Sequence, residues 1–461
     1  MSVSVALNVT VLDATAKGWL TVHSGGATPP GVASAQFVPG ERIAHGLTVE
    51  PGADGSIDVR AFGGGCPHVL VDVLGHYAAP RVLEVQVGDQ HTCVRSQGVT
   101  TQMRCWGGNL SGQLAYGPTA VSLPSPSTVA MGSAPLRIAT GDDHTCAVLG
   151  AEGATAGNVW CSGANESGQL GDPTAWGREY QLRASTLTGA VDVAAGPSHT
   201  CAVVGADRRV RCVGANDRGQ APVEVEVPAP PAPERPWYCS FISCLDSSGL
   251  GPTPLTGVSR IAVGGSGSCA VLDSGRVRCW GLGVLGDAAF GQSSVAVEVP
   301  GITDAVDVSV GDDHACAAVL SGTTLRCWGR NDHGQLGQGG RVVGGAPVPV
   351  TVPGFSMVTG VSAGSARTCV EGFVPVPGGY DSRVACWGEN STGAVGDGTT
   401  TDRWSPVVVA NGARSLRGVE TGTSHTCVVA DGRVECWGLN TSGQLGNGTR
   451  IDSPRPVVAL D

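Results

Sequence analysis

The sequence predicts an all-β chain in which an array of repeated β units follows a small β domain. Three observations carry that reading. First, the pattern Gly-x-x-His-Thr-Cys followed by Cys-Trp-Gly recurs seven times in altered form between Gly88 and Gly438. Its first cysteines lie 53, 55, 68, 47, 53 and 58 residues apart, and a period near fifty marks an array of like supersecondary units. Second, no stretch sustains the i, i+3, i+4, i+7 apolar spacing of an amphipathic helix, while glycine (71) and proline (29) are abundant. Third, short runs such as Val191–Asp192–Val193 and Val306–Asp307–Val308 alternate between Gly, Asn and Asp punctuation, as strands do.

Composition narrows the function classes. The chain has 461 residues, enough for one large closed array plus a small domain. The formal charge is −11, Lys17 is the one lysine, and no Lys/Arg cluster offers a stripe to track phosphates. Nucleic acid is therefore not an expected partner, and the acidity reads as solubility. No apolar segment is long enough to span a bilayer. Met1–Ser2–Val3–Ser4 lacks the charged start and apolar core of a secretory signal.

Sixteen of the seventeen cysteines fall into close pairs. Seven pairs belong to the repeat: Cys93 and Cys105, Cys146 and Cys161, Cys201 and Cys212, Cys269 and Cys279, Cys316 and Cys327, Cys369 and Cys386, Cys427 and Cys436. The eighth is Cys239 and Cys244. None has Cys-x-x-Cys spacing. A metal site in each repeat would need four ligands where two Cys and at most one regular His exist. Disulfides are expected, with reduced core cysteines as the alternative. Each repeat disulfide would close a loop of about 10–18 residues, stabilising the fold by roughly 3 kcal/mol in the chain-entropy account. Persistent disulfides imply an oxidising compartment, so export to the exterior or the cell surface is expected. The missing signal is then explained if the start lies inside a longer gene or follows processing. Cys66 is left over and reads as a buried small apolar side chain, with an intermolecular disulfide as the alternative.

Residues 1–79 hold no copy of the repeat and form the expected N-terminal β domain. Val5–Val11, Gly18–Val22 and Val69–Tyr77 alternate and are separated by turn glycines. The phrases ALNVTV, GWLTV and VLVDVLGHY resemble a module of secreted actinobacterial surface proteins, and a β-sandwich-like fold is expected here.

Residues 80–461 hold the array. A unit reads Val-x-x-Val-x-x-Gly-x-x-His-Thr-Cys, a hairpin, Val-x-Cys-Trp-Gly-x-Asn, Gly-Gln-Leu-Gly and a Pro-Val strand. The fullest copy is Gly422 to Thr449, GTSHTCVVADGRVECWGLNTSGQLGNGT. This combination resembles the regulator of chromosome condensation repeat family. The resemblance implies a seven-bladed β-propeller, one blade per unit, and the paired cysteines match its secreted bacterial variant. The final Ser453–Pro454–Arg455–Pro456–Val457–Val458 is the strand that elsewhere precedes the next unit. It is therefore expected to complete the blade begun near Arg81 and so fasten the ring.

Recurring residues read as structural. His91, His144, His199, His314 and His425 occupy one site in five units, with Gly267 and Arg367 in the other two. A residue used once per blade is expected to lock blades by hydrogen bonding, not to ligate metal. Asp142–Asp143 and Asp312–Asp313 are expected to hold turns. Gln113, Gln169, Gln220, Gln335 and Gln444 should satisfy backbone groups of the Gly-rich turn. No Gly-x-Ser-x-Gly, His-Glu-x-x-His or phosphate loop occurs, so no catalytic residue, metal or cofactor is assigned.

Departures from the repeat are the candidate binding features. The third unit inserts residues 228–254, PAPPAPERPWYCSFISCLDSSGLGPTP, where a Cys239–Cys244 loop would display Trp237, Tyr238, Phe241 and Ile242. Rigid aromatics on a constrained loop suit an interface anchor; the alternative is that they pack on the propeller or on the N-terminal domain. Long hairpins at 147–160 and 370–385, the latter with Phe373, should project from one face. The expected function is a monomeric, non-catalytic, secreted or surface-attached propeller that binds another protein through loops on one face. Inhibition of a secreted enzyme, in the manner of a β-lactamase inhibitor, is the alternative, and an enzyme acting on extracellular polymer comes third. The nucleotide exchange activity of the founding family member does not carry over, because its exchange residues have no match here.

Overall fold

In the computed structural model every regular element of the described residues is a strand. The structure describes residues 3–459 except 13, 25–26, 28–33, 50–55, 64–67, 79–80, 99, 118–119, 173–177, 228–252, 289, 320–323, 341–344, 356, 377–378 and 413–414. Two compact units emerge, Met1–Arg81 and Val82–Asp461.

The first unit has two three-stranded antiparallel sheets. One orders Ile43–Val49, Val3–Leu12 and His68–Ala78; the other orders Ala35–Phe37, Gly18–Ser24 and Ile57–Gly63. Alternation explains the core. Leu7, Val9 and Val11 share one strand face and are buried with Leu20, Val22 and Phe37, while Asn8 and Thr10 on the other face stay half-exposed. Cys66 lies outside the described residues.

The second unit contains seven successive antiparallel sheets, each holding one cysteine pair of the repeat. In the first sheet the order is Arg81–Val87, His91–Gln97, Thr101–Gly108 and Ser122–Thr128, from inner to outer strand. In every sheet the two cysteines sit directly opposite each other across the second and third strands. From the first sheet to the seventh, Cys93 faces Cys105, Cys146 faces Cys161, Cys201 faces Cys212 and Cys269 faces Cys279. The last three sheets set Cys316 against Cys327, Cys369 against Cys386 and Cys427 against Cys436. All seven pairs are disulfide-bonded, with Cα–Cα distances of 4.0–4.2 Å, as the pairing in the sequence leads one to expect. The eighth expected pair, Cys239 and Cys244, lies outside the described residues.

The third sheet has three strands, and its shortened outer segment leads to Glu226–Val227, which pairs with Thr253–Pro254. Core clusters form between sheets. Val85, Val94 and Trp106 of the first sheet pack with Cys427, Val429 and Leu445 of the seventh. This is the layering of a β-propeller, in which each sheet is covered by its neighbours.

Closure departs from the sequence expectation. Ser453–Val458 pairs with Arg433–Gly438 of its own sheet, Cys436 facing Val457. The first sheet already has an outer strand of its own, Ser122–Thr128. A cyclic pattern has no marked start, so the Pro-Val strand fits either phase of the repeat. The antiparallel return after Cys-Trp-Gly places it in the sheet it follows. The first and last sheets instead meet through side chains and turns: Thr92 with His425 at 2.7 Å, Trp106 Nε1 donating to the Gln444 carbonyl at 2.9 Å, and Gly448 N–H donating to the Pro124 carbonyl at 2.9 Å.

Candidate binding site

The recurring polar residues build the seams between sheets. Thr92 donates its hydroxyl to the Gln444 carbonyl of the preceding sheet at 2.9 Å. One hydroxyl has one proton, so the same oxygen accepts from His425 Nε2 at 2.7 Å. The arrangement repeats at Thr200 with His144 and Gln169, and at Thr368 with His314 and Gln335, all at 2.8–2.9 Å. Each acceptor carbonyl also takes an indole N–H where the tryptophan is present: Trp106 on Gln444, Trp280 on Gln220, Trp328 on Val284, Trp387 on Gln335 and Trp437 on Ala394. The five histidines are buried, and burial lowers each from its usual 6.5 to about 3 or 4, which keeps them neutral.

The two units without histidine are compensated. Where Gly267 replaces it, the next sheet offers Ala315 instead of the hydroxyl, and Val284 fills the space: a Cβ on Gly267 would collide with its Cγ2. Where Arg367 replaces it, the guanidinium is buried against the Glu389 carboxylate (2.7 Å) and carbonyl (2.9 Å) and donates to Thr421 Oγ1 (3.3 Å). Thr421 in turn reaches Thr426 Oγ1 at 2.9 Å. Glutamines hold the Gly-rich turns, Oε1 of Gln113, Gln169, Gln220, Gln335 and Gln444 each accepting a backbone N–H two residues earlier at 2.8–3.0 Å.

The inner strands enclose a polar cavity of about 490 Å³. Arg95 pairs with Glu84 at 2.9 Å, Asp307 accepts from the N–H groups of Val308 and Val361, and Glu420 accepts from Ser362 Oγ. Burial raises Asp307 to about 6, Asp142 and Glu371 to about 7, and Glu420 to about 8. Two of these carboxyls have structural work: adjacent inner strands belong to different sheets, and Asp307 and Glu371 supply acceptors for N–H groups of the next inner strand. The sequence alone does not reveal this, since Val306–Asp307–Val308 reads as a plain alternating strand. Among the described residues no group of three or more His, Cys, Asp or Glu is arranged to hold a metal, and no helix is long and apolar enough to cross a membrane.

The candidate binding residues distribute as follows. Trp237, Tyr238, Phe241, Ile242, Cys239 and Cys244 lie outside the described residues. Their flanks are placed: Leu255 N–H donates to the Val225 carbonyl and Gly257 N–H to the Asp207 carbonyl, so the insertion leaves and returns beside the hairpin turn of the third sheet. The long hairpin of the second sheet adjoins it, Gly157 exchanging both backbone bonds with Ala190. Phe373 is half-buried in the pair Arg367–Val376 and Gly379–Gly388. The flanks of the insertion and the two hairpins lie at the end of the sheets where second and third strands join. Phe373, however, is three sheets away from the insertion along the chain.

With this geometry in hand, comparison with known proteins identifies the repeat. Models described as "Regulator of chromosome condensation (RCC1) repeat" match residues 190–220, 258–287 and 305–335, and 156–203, 327–370, 381–429 and 431–461, together more than half of the chain. The chain belongs to the regulator of chromosome condensation repeat family. This family member is 28% identical over 181 residues to the ultraviolet-B receptor UVR8 of Arabidopsis thaliana, covering 37% of this chain and 39% of that one. It is 26% identical over 341 residues to the secretion-regulating guanine nucleotide exchange factor of Bos taurus, covering 68% of each. The chain spans two-fifths or less of the lengths of UVR8 and the human HERC ligases it matches. Among solved structures, human WBSCR16 superposes with TM-score 0.62 at 19% identity, covering 78% of this chain and 95% of that one. Prp20p of Saccharomyces cerevisiae superposes with TM-score 0.58 at 18% identity, covering 83% and 88%. At such identities the likeness shows the fold alone.

Proposed function

We propose that this chain is a non-catalytic, disulfide-locked propeller that works outside the cytosol and binds another protein through the hairpin end of its sheets. The observation that carries the reading is where the polar residues go. The repeated His, Thr, Trp and Gln are consumed by seams and turns, Asp307 and Glu371 by backbone N–H groups, Glu420 by Ser362 and Glu84 by Arg95, so most polar side chains of the repeat already have structural partners. The units differ most from one another at the hairpin end, where the insertion and the long hairpins emerge. Seven buried cysteine pairs suit an oxidising compartment. The solved relative Prp20p is described by its binding to Gsp1p and histones, which supports protein binding as a use of this scaffold. Residues 1–79 would then act as spacer or anchor.

The test is capture of partners from the host's extracellular proteins on the immobilised full chain and on a Trp237→Ala/Tyr238→Ala variant. A protein retained by the first and held at least about tenfold more weakly by the second is the expected result, since aromatic anchors carry most interface energy. Equal retention would remove the insertion from the interface. Identification of the captured protein separates a scaffold from an enzyme inhibitor.

A further inference from the structure

The seam between the first and second sheets breaks the repeat at three linked positions. The second unit reads Val159–Trp160–Cys161–Ser162–Gly163, so Ser162 stands where five units place the seam tryptophan and the third has Val213, and Trp160 stands where four units have Arg104, Arg211, Arg278 or Arg326. On the facing turn, Ala115 replaces the glycine found at Gly171, Gly286, Gly337, Gly396 and Gly446, and Pro222 stands there in the third unit. At Gly286, Gly337, Gly396 and Gly446 the glycine makes room for the indole: an added Cβ would lie 2.5–3.2 Å from the Nε1 of the next sheet's tryptophan. Ala115 keeps the left-handed backbone, φ +53°, but carries a Cβ, which is tolerated because no seam indole faces it. Ser162 Oγ is buried and has no hydrogen-bond partner among the described residues. A left-handed alanine and an unpartnered buried hydroxyl mark this seam as a departure from the repeat, although buried ring nitrogens of the seam histidines are also without partners among the described residues.

Beside this seam lies a cavity of about 710 Å³, within the range of small-molecule sites. Half-buried Trp160 forms one wall and Tyr116, 49% exposed, forms the rim. Met131 and Leu149 supply apolar contact, and Ser133 and Asn158 supply polar groups. Among the described residues no charged side chain lines it, so an ionised ligand would lose its hydration without a counter-charge.

We propose that this cavity binds a neutral, planar aromatic molecule of one or two fused rings bearing a hydrogen-bonding group. Such a ligand stacks on Trp160 under Tyr116, beside the seam and not within it, since Ser162 does not line the cavity. Burial against the two aromatic side chains supplies the affinity, and the hydroxyl and amide of Ser133 and Asn158 orient the polar edge.

The test uses the full chain and indole as probe, followed by ligand-observed saturation-transfer NMR, with indole-3-acetate as the charged comparison. Saturable indole binding at least about tenfold tighter than that of indole-3-acetate is expected. Tyr116→Ala, a change at an exposed turn, should weaken it several-fold. The combination Trp160→Arg, Ser162→Trp and Ala115→Gly restores the residues standing at the equivalent positions of other units and should abolish it, with seven disulfides and an unchanged melting temperature as the control for folding. Absence of saturable binding to the unaltered chain overturns the proposal, as does undiminished binding in the folded restored variant. If the restored variant fails to fold, unchanged affinity in Tyr116→Ala overturns it alone.

Discussion

A single threonine hydroxyl at each seam does two things, and the molecule is sensitive to its loss. Thr368 accepts from His314 and donates to the Gln335 carbonyl. Thr368→Val would leave the buried His314 N–H unpaired, and we predict a loss of about 1–3 kcal/mol in denaturant unfolding. Its counterpart Ala315 already lacks the hydroxyl at no such cost, because Gly267 offers no imidazole. Glycine shows the same logic: Gly446→Ala puts a methyl against the Trp106 indole and should cost about 1–3 kcal/mol, whereas Ala115→Gly should change stability by less than about 1 kcal/mol, as measured by the same unfolding curves. The histidine position and its locking role are legible in the sequence, because five units repeat it. The paired departures Gly267 with Ala315 and Ala115 with Ser162 are visible there too, but become interpretable only once the seam partner is known. Periodicity aligns equivalent residues; it does not say which residue of one unit touches which of the next.

Strands are the most readable elements, and strand ownership the least. Opposed cysteines and the Gly-x-x-His turn define the second and third strands of every sheet from spacing alone. The outer Pro-Val strand is the exception: the expectation gives it to the wrong sheet, since a repeating pattern reads equally well in either phase. The consequence is testable. Deleting residues 453–461 should strip the outer edge from Arg433–Gly438 and lose the Gly398–Pro454 backbone bond. The Thr92–His425 and Trp106–Gln444 contacts that join first and last sheets should remain. We expect a lower melting temperature and concentration-dependent association through the bared edge, with the seam Trp106 still shielded from acrylamide quenching. A Trp106 exposed to quencher would instead favour closure by strand exchange. Inner-strand carboxyls are not legible in the sequence at all, because an acid in a Val-Asp-Val run looks like a solvent-facing residue until the neighbouring sheet is known to cover it.

At the scale of the molecule, buried titratable groups set a pH dependence. Asp142, Glu371 and Glu420 sit at about 7, 7 and 8 in the fold, above their ordinary 3.8–4.5. The folded state therefore holds protons that the unfolded chain releases, so their stabilising contribution is complete below about pH 4 and is lost as pH rises through about 7–8. The histidines act in the opposite sense, their contribution being complete above 6.5 and lost as pH falls towards about 3–4. Between about pH 7.5 and 8.5 the imidazoles are almost wholly neutral in both states and the carboxyls dominate the change, so the melting temperature should fall across that window. The propeller as a whole rests on one claim: every sheet is closed by its own disulfide, and repeated side chains join the sheets. Non-reducing peptide mapping by mass spectrometry of protein from its native host, alkylated before digestion, tests it most directly. Seven intrasheet links, Cys93–Cys105 through Cys427–Cys436, are expected in protein recovered outside the cytosol. Alkylated thiols at these positions, or links between different sheets, would contradict it.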